Sequence, residues 1–344
     1  MTTLRFLVFT LAALHLPGVL GFQPDHRLLP RDGNERYPFC TPAPDNSCIV
    51  GGKYVKPDLN ISEAGNAGNN AYITYLPAHT YNLSQWTNQK MPQMCYSTIN
   101  LYGYTPSAFV VYNVTYSDCT SPWVICRSTT ASKSINEIAD EISKMPASMR
   151  QAASTYLVFP ESLPRAIESW SEDGLIAGKS SYYFPTSLVH EHGHAVDGAI
   201  LVPGPGSYSD TSTWRNTVTL DNFAATAYGT SSHAENFADI GRVVLIQNIY
   251  PGGIAGLFPN HPNLTQIANQ VALFQSVAGG YYQTGGSCDL AKKYPFPTVL
   301  IDVPTTTPPP TNTATATPYG QCGGWSTYTG PTACGAGWKC TTLK

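Results

Sequence analysis

His190-Glu191-His192-Gly193-His194 places two imidazoles four residues apart with a carboxylate beside the first, and an α-helix stacks residues of that spacing on one face. His190 and His194 can then grip one Zn²⁺ while Glu191 projects towards the coordination position left for water. The helical angle turns His192 away from that face, which assigns it to packing or to the surface. Leu188, Val189, Ala195 and Val196 flank the motif, so the helix is expected to be mostly buried, and a solvated polar face is the poorer account of its histidines. Thr186 or Ser187 is the expected cap, and Gly198 the expected stop.

A catalytic zinc takes three protein ligands and keeps a fourth position open, so the third ligand decides the class. A metzincin would carry Gly and His where this chain has Asp197 and Ile200. An aspzincin needs an aspartate three residues before Tyr228-Gly229, where Ala225 stands, and Asp221 substitutes only loosely. Glu235 fits better. It begins a helix expected from about Ser232 to Asn248, with Phe237, Ile240, Val243 and Val244 on its apolar stripe. Asp239 follows one turn on, where a carboxylate can accept a hydrogen bond from a ligand histidine and fix its tautomer. Without the histidine pair, the two acids would simply favour the helix dipole. His233 is a weaker competitor for the metal, and Tyr228 can donate to a developing oxyanion as its neutral phenol.

The stretch His190 to Asp197, with Tyr228-Gly229 and Ala234-Glu235-Asn236-Phe237-Ala238-Asp239, resembles the zinc domain of anthrax-lethal-factor-type gluzincin peptidases. The resemblance covers about 188–242. It implies His190, His194 and Glu235 as zinc ligands, Glu191 as the base, Tyr228 over the site and Asp239 behind the ligands. The rest of the main domain resembles a fungal conidiation-specific secreted protein family.

The chain opens like an export signal over residues 1–21: Arg5 is basic, Phe6 to Leu16 is almost continuously apolar, and Val19-Leu20-Gly21 suits cleavage. Sequons at Asn60, Asn82, Asn113 and Asn263 agree with a secreted, extracellular glycoprotein. The apolar core is too short to span a bilayer. With a net charge of -3 and 12% charged residues, the chain lacks the basic footprint of a nucleic-acid binder. Six cysteines, Cys40, Cys48, Cys95, Cys119, Cys126 and Cys288, precede the tail and suggest three disulfides with the pairing open.

Residues 22–301 are expected to form an α+β, zincin-like domain with a disulfide-bonded, β-rich N-terminal portion over Pro38 to Thr130. Ser134 and Glu137 form a capping box for a helix that Pro146 ends, Thr155 to Phe159 reads as a buried strand, and a last helix runs near Thr265 to Ala278. Residues 302–318 are a Thr/Pro-rich linker that cannot pack a core.

The end of the chain, Tyr319-Gly320-Gln321-Cys322-Gly323-Gly324-Trp325 with Cys334 and Gly337-Trp338-Lys339-Cys340, resembles the fungal-type cellulose-binding module, a small cystine-stabilised β unit. The resemblance implies Tyr319 as a sugar-stacking platform and a Cys322–Cys340 pair. It also implies truncation, because the family pattern continues past the third cysteine. The expected partners are a protein or peptide substrate and cellulose, with neither nucleic acid nor membrane, for a monomer. Two alternatives remain: a non-catalytic wall protein with a zincin-like fold, and a glycoside hydrolase. The hydrolase would need paired carboxylates, and Glu161, Glu168 and Asp173 form no motif.

Overall fold

The computed structural model describes residues 58–59, 64–164, 168–202, 206–286, 288 and 297–301, together with short strands at 49–50, 53–54, 315–316 and 333–334. In chain order, the antiparallel pair β1 (Ile49–Val50) and β2 (Lys53–Tyr54) precedes α1 (Ala64–Tyr75), β3 (Tyr81–Gln85), β4 (Lys90–Pro92) and α2 (Gln93–Leu101). Next come β5 (Phe109–Tyr116), β6 (Trp123–Ser128), α3 (Ile135–Ser143), α4 (Ala147–Arg150), β7 (Thr155–Phe159), β8 (Ser169–Glu172) and β9 (Leu175–Lys179). The remainder is α5 (Pro185–Ala195), α6 (Ser212–Leu220), α7 (His233–Ile249), α8 (Gly253–Leu257), α9 (Ala268–Ala278), β10 (Thr298–Leu300), β11 (Thr315–Ala316) and β12 (Ala333–Cys334).

A six-stranded sheet of order β3-β5-β6-β7-β9-β8 forms the middle layer. Its centre, β6-β7-β9, is parallel, and both flanks are antiparallel. Parallel strands covered on both faces become continuously apolar. Accordingly Thr155, Tyr156, Leu157, Val158 and Phe159 are all buried, as the sequence predicts. One face packs against α1, α3, α5, α6, α7 and α9 through Tyr72, Tyr156, Val189, Trp214, Phe237 and Phe274. The other face packs under α2 and the β4–β10 pair through Met91, Met94, Ile99, Phe109, Leu157 and Phe159.

This architecture is α+β, and the N-terminal portion carries β1 to β6 and the Cys95–Cys126 disulfide as expected, but it is not a separate β unit and it holds two helices that were not expected. Strands β3, β5 and β6 belong to the same sheet as β7–β9, and α1 and α2 lie among them. Helix α1 is rich in Gly and Asn, which are poor helix formers; tertiary packing of Tyr72 and Leu76 retains it. Helix α2 buries Met94, Cys95, Thr98 and Ile99 on one face, a helical spacing that the loop-and-strand expectation passed over. Cys95 pairs with Cys126 and Cys119 with Cys288. Cys40 and Cys48 lie outside the described residues, as do Tyr319, Cys322 and Cys340 and the export segment. Thr315 and Ala316, expected as linker, pair in parallel with Ala333 and Cys334. Among the described residues no helix is long and apolar enough to cross a membrane.

Candidate metal centre

Helix α5 leaves the sheet after β9, and Phe184 in extended conformation hands over to Pro185 at the first helical position. Proline is suited to that position because its ring presets φ and the missing N–H would lack a helical partner anyway. The expected cap at Thr186 or Ser187 is therefore corrected; Thr186 instead hydrogen-bonds Asn69 of α1 with its amide and hydroxyl. The regular helix ends at Ala195, close to the expected stop at Gly198, and widens into a π-turn over Val196–Ile200. The buried Asp197 carboxylate there accepts hydrogen bonds from the Ser209 amide at 2.7 Å and hydroxyl at 2.6 Å, and burial pushes its pKa up to about 6.

Helix α7 starts as the sequence predicts, with the Ser232 hydroxyl accepting the Glu235 amide at 3.0 Å. It crosses α5 where Gly193 leaves room for Ala238. That close approach brings the donor groups together. His190 Nε2 and His194 Nε2 each lie 3.0 Å from Glu235 Oε2, and 3.1 Å from one another. Among the described residues these three side chains form the cluster able to hold a metal ion. His190 and Glu235 are buried.

Asp239 takes its expected place, with His190 Nδ1 donating to Oδ1 at 2.8 Å. That bond commits the Nδ1 proton to Asp239, so Nε2 is the nitrogen that faces the cluster and would offer its lone pair to a metal ion once its own proton is displaced. Two supports of Asp239 were not foreseen. Arg242 pairs with Oδ1 at 2.6 Å, and the Thr226 hydroxyl donates to Oδ2. Thr226 in turn accepts the Gly229 amide at 2.9 Å, which anchors the short helix Tyr228–Ser231. Arg242 lies one turn beyond Asp239 on α7, so its spacing was legible; Thr226 carried no local signal. The Tyr228 ring sits 5.6 Å from that of His190, centroid to centroid, with the residue 56% exposed, so it borders the centre from the solvent side.

Electrostatics in the cluster follow from burial and crowding. Burial pulls the His190 pKa down, but its hydrogen bonds to Asp239 and Glu235 prevail and lift it to about 10. Burial pushes Glu235 up, and the charges and hydrogen bonds of His194 and His190 hold it well below the usual carboxylate range. The cage thus favours positive charge at its centre. Two imidazole nitrogens and a carboxylate oxygen are the donor set of a catalytic zinc site. Tetrahedral zinc with bonds of about 2.0–2.1 Å spaces its ligand atoms about 3.4 Å apart, so these need only a few tenths of an ångström of opening. The residues fit the ion.

Glu191 is also buried. Its Oε1 accepts the Ser169 hydroxyl at 2.6 Å, while Oε2 has no hydrogen-bond partner among the described residues. A buried carboxylate oxygen left so costs on the order of 1–3 kcal/mol unless water or substrate satisfies it. Ser169, on β8, was not singled out in the sequence. His192 is fully buried: Nδ1 donates to the Leu188 carbonyl at 2.7 Å, and Nε2 accepts the Tyr156 hydroxyl at 3.0 Å. It packs, as expected.

The competing ligands stand elsewhere. Asp221 accepts the backbone and side-chain amides of Asn269 and Gln270. His233 opens α7 outside the cluster. Of the carboxylates considered for a glycoside hydrolase, Glu161 is bound by Ser132 and Ser181, and Asp173 occupies a left-handed turn position, with φ 45°.

The family described as conidiation-specific protein Con-13 matches residues 63–290, and the fungal cellulose binding domain matches residues 318–344. Neither description names a peptidase. A similar protein is Conidiation-specific protein 13 of Neurospora crassa, 27% identical over 238 residues. The match covers 67% of this chain and 65% of that relative's length. No solved structure matches. With the first match spanning the sheet, both site helices and all three candidate ligands, the chain belongs to the conidiation-specific protein Con-13 family.

Proposed function

We propose that the main domain is an extracellular zinc-dependent hydrolase of peptide bonds with a zincin-like arrangement of ligands, directed to cellulose or plant cell wall by its tail. One observation carries the proposal: His190, His194 and Glu235 converge from two helices, and the neighbour of His190 in the chain, the buried Glu191, keeps one carboxylate oxygen without a hydrogen-bond partner among the described residues.

Zinc held there supplies Lewis acidity that activates water and polarises a carbonyl. Glu191 takes a proton from water at Oε2 and returns it to the departing amine. The Ser169 hydroxyl on Oε1 holds the carboxylate in one orientation. Asp239 keeps the proton of His190 on Nδ1, so that Nε2 remains a donor of its lone pair. Tyr228 donates its phenolic hydrogen to the oxyanion that develops as the carbonyl is attacked.

A second reading is a carbohydrate-binding wall protein whose metal centre turns over nothing. The match to the fungal cellulose binding domain favours it, as does a family named for conidiation rather than for hydrolysis. Metal analysis of the purified chain, with peptide-library cleavage before and after chelation, separates the two. Glu191→Gln should keep its zinc and lose about 100-fold or more in cleavage rate. Zinc-loaded protein that cleaves nothing yet is retained on cellulose establishes the second reading.

A further inference from the structure

The face of the sheet under α2 is only partly covered, and two glycosylation sequons occupy the uncovered part. Along β5, Phe109 and Val111 are buried beneath the α2 layer. Side chains alternate along a strand, so Asn113 and Thr115 continue the same face, and both are partly exposed. In the antiparallel pairing with β3, Asn113 lies opposite Ser84 and Thr115 opposite Asn82. Residues directly opposite share a face. Asn82-Leu83-Ser84 and Asn113-Val114-Thr115 therefore present all four acceptor-motif side chains to the same side, in mutual register, on β3 at the sheet edge and its neighbour β5.

A groove of about 410 Å³ opens there, lined by Gln85, Trp86, Asn88, Lys90, Asn113 and Thr298 among others. Its composition, an indole with amides, hydroxyls and an ammonium group, suits a sugar: apolar C–H faces dock on the ring, and hydroxyls find donors and acceptors around it. Trp86 packs at the margin of the core beneath α2. Its indole N–H donates to Asn113 Oδ1 at 2.9 Å. That bond engages the oxygen of the amide and leaves the nitrogen, the atom that carries an N-glycan.

The geometry points to N-glycosylation at Asn113, with the innermost N-acetylglucosamine seated in this groove against Trp86, and a companion glycan at Asn82 extending the cover over the sheet edge. The modification forms a bond from Asn113 Nδ2 to C1 of the sugar of a polyprenyl-diphosphate-linked oligosaccharide. The C1–O bond to the diphosphate breaks, the polyprenyl diphosphate leaves with its electron pair, and the amide gives up one proton. The attached sugar then shields the part of the sheet face around Asn113 and Thr115 that stays partly exposed. It also blunts an edge strand that would otherwise offer its backbone to another chain. The proposal rests on export of the chain and is independent of the zinc reading.

The test uses the full chain secreted from a fungal host. Peptide mapping should find Asn113 occupied. Trimming with an endoglycosidase that leaves one N-acetylglucosamine should hold the melting temperature within about 1 °C of the untrimmed protein, whereas Thr115→Ala, which abolishes the sequon, should lower it by about 3 °C or more. Thr115→Ser keeps the sequon and should melt like the parent, which separates the glycan from the strand residue. Trp86→Ala should cost less in the Thr115→Ala background than alone, because sugar and ring act as a pair. An unmodified Asn113, whether the chain is secreted or retained, overturns the proposal. So does an occupied Asn113 whose loss in Thr115→Ala leaves the melting temperature where Thr115→Ser has it.

Discussion

Replacing Gly193 by alanine adds one methyl group at the point where α5 and α7 touch. A Cβ there would stand 2.8 Å from Ala238 Cα and 3.0 Å from Ala238 Cβ, whereas carbon atoms in ordinary contact lie about 3.5–4.0 Å apart. The obstruction is partly backbone, which cannot swing aside, so the helices must separate by roughly 0.6 Å or more. His190 and His194 ride on one helix and Glu235 on the other, so the separation opens the 3.0 Å spacings between imidazole and carboxylate. Overpacking costs about 1–3 kcal/mol, and the better helix propensity of alanine returns up to about 1 kcal/mol. The net loss of about 1.5 kcal/mol lowers the melting temperature by roughly 3–6 °C in a domain of this size. Zinc affinity, measured by competition with a chromophoric chelator, should fall about tenfold or more, in the range seen when ligand support is disturbed. Gly198→Ala serves as the control, since its nearest neighbours would be 3.8 and 4.0 Å away. It should melt at or above the parent and bind zinc equally well. A Gly193→Ala protein that matches Gly198→Ala in both measurements refutes the account of how the centre is assembled.

Asp239→Asn removes the charge that His190 and Arg242 share and should weaken zinc binding by about 10- to 100-fold; unchanged affinity in the same chelator competition would remove Asp239 from the support of the centre. His192 makes the fold sensitive to acid. Burial depresses its pKa from 6.5 to about 4, so the unfolded chain takes the proton first, and stability present above pH 6.5 is lost as the pH falls towards 4. Between pH 7 and 4.5 this group should account for roughly 2–3 kcal/mol. Urea unfolding of wild type and His192→Gln at the two pH values tests it: the variant, although weaker at pH 7, should lose correspondingly less on acidification, and parallel losses would refute the assignment.

Helical spacing by itself specified that His190 and His194 share a face and that His192 does not, and Ser134 before Glu137 specified where α3 begins. These are properties of a few consecutive residues, set by 3.6 residues per turn and by the local reach of a hydroxyl to an amide. Buried strand β7 was legible for a similar reason, since a strand packed on both faces has no polar alternation to confuse. Helix α1 was not, because its Gly- and Asn-rich sequence is helical only through what it packs against. The convergence of Glu235 with the histidines belongs to the tertiary structure, as do Thr226 and Ser169. Each depends on which elements cross and how closely, and that distance is set by a glycine facing an alanine between two helices some forty residues apart. No local pattern records such an approach, because the energy that fixes it is packing between segments that meet only when the core closes.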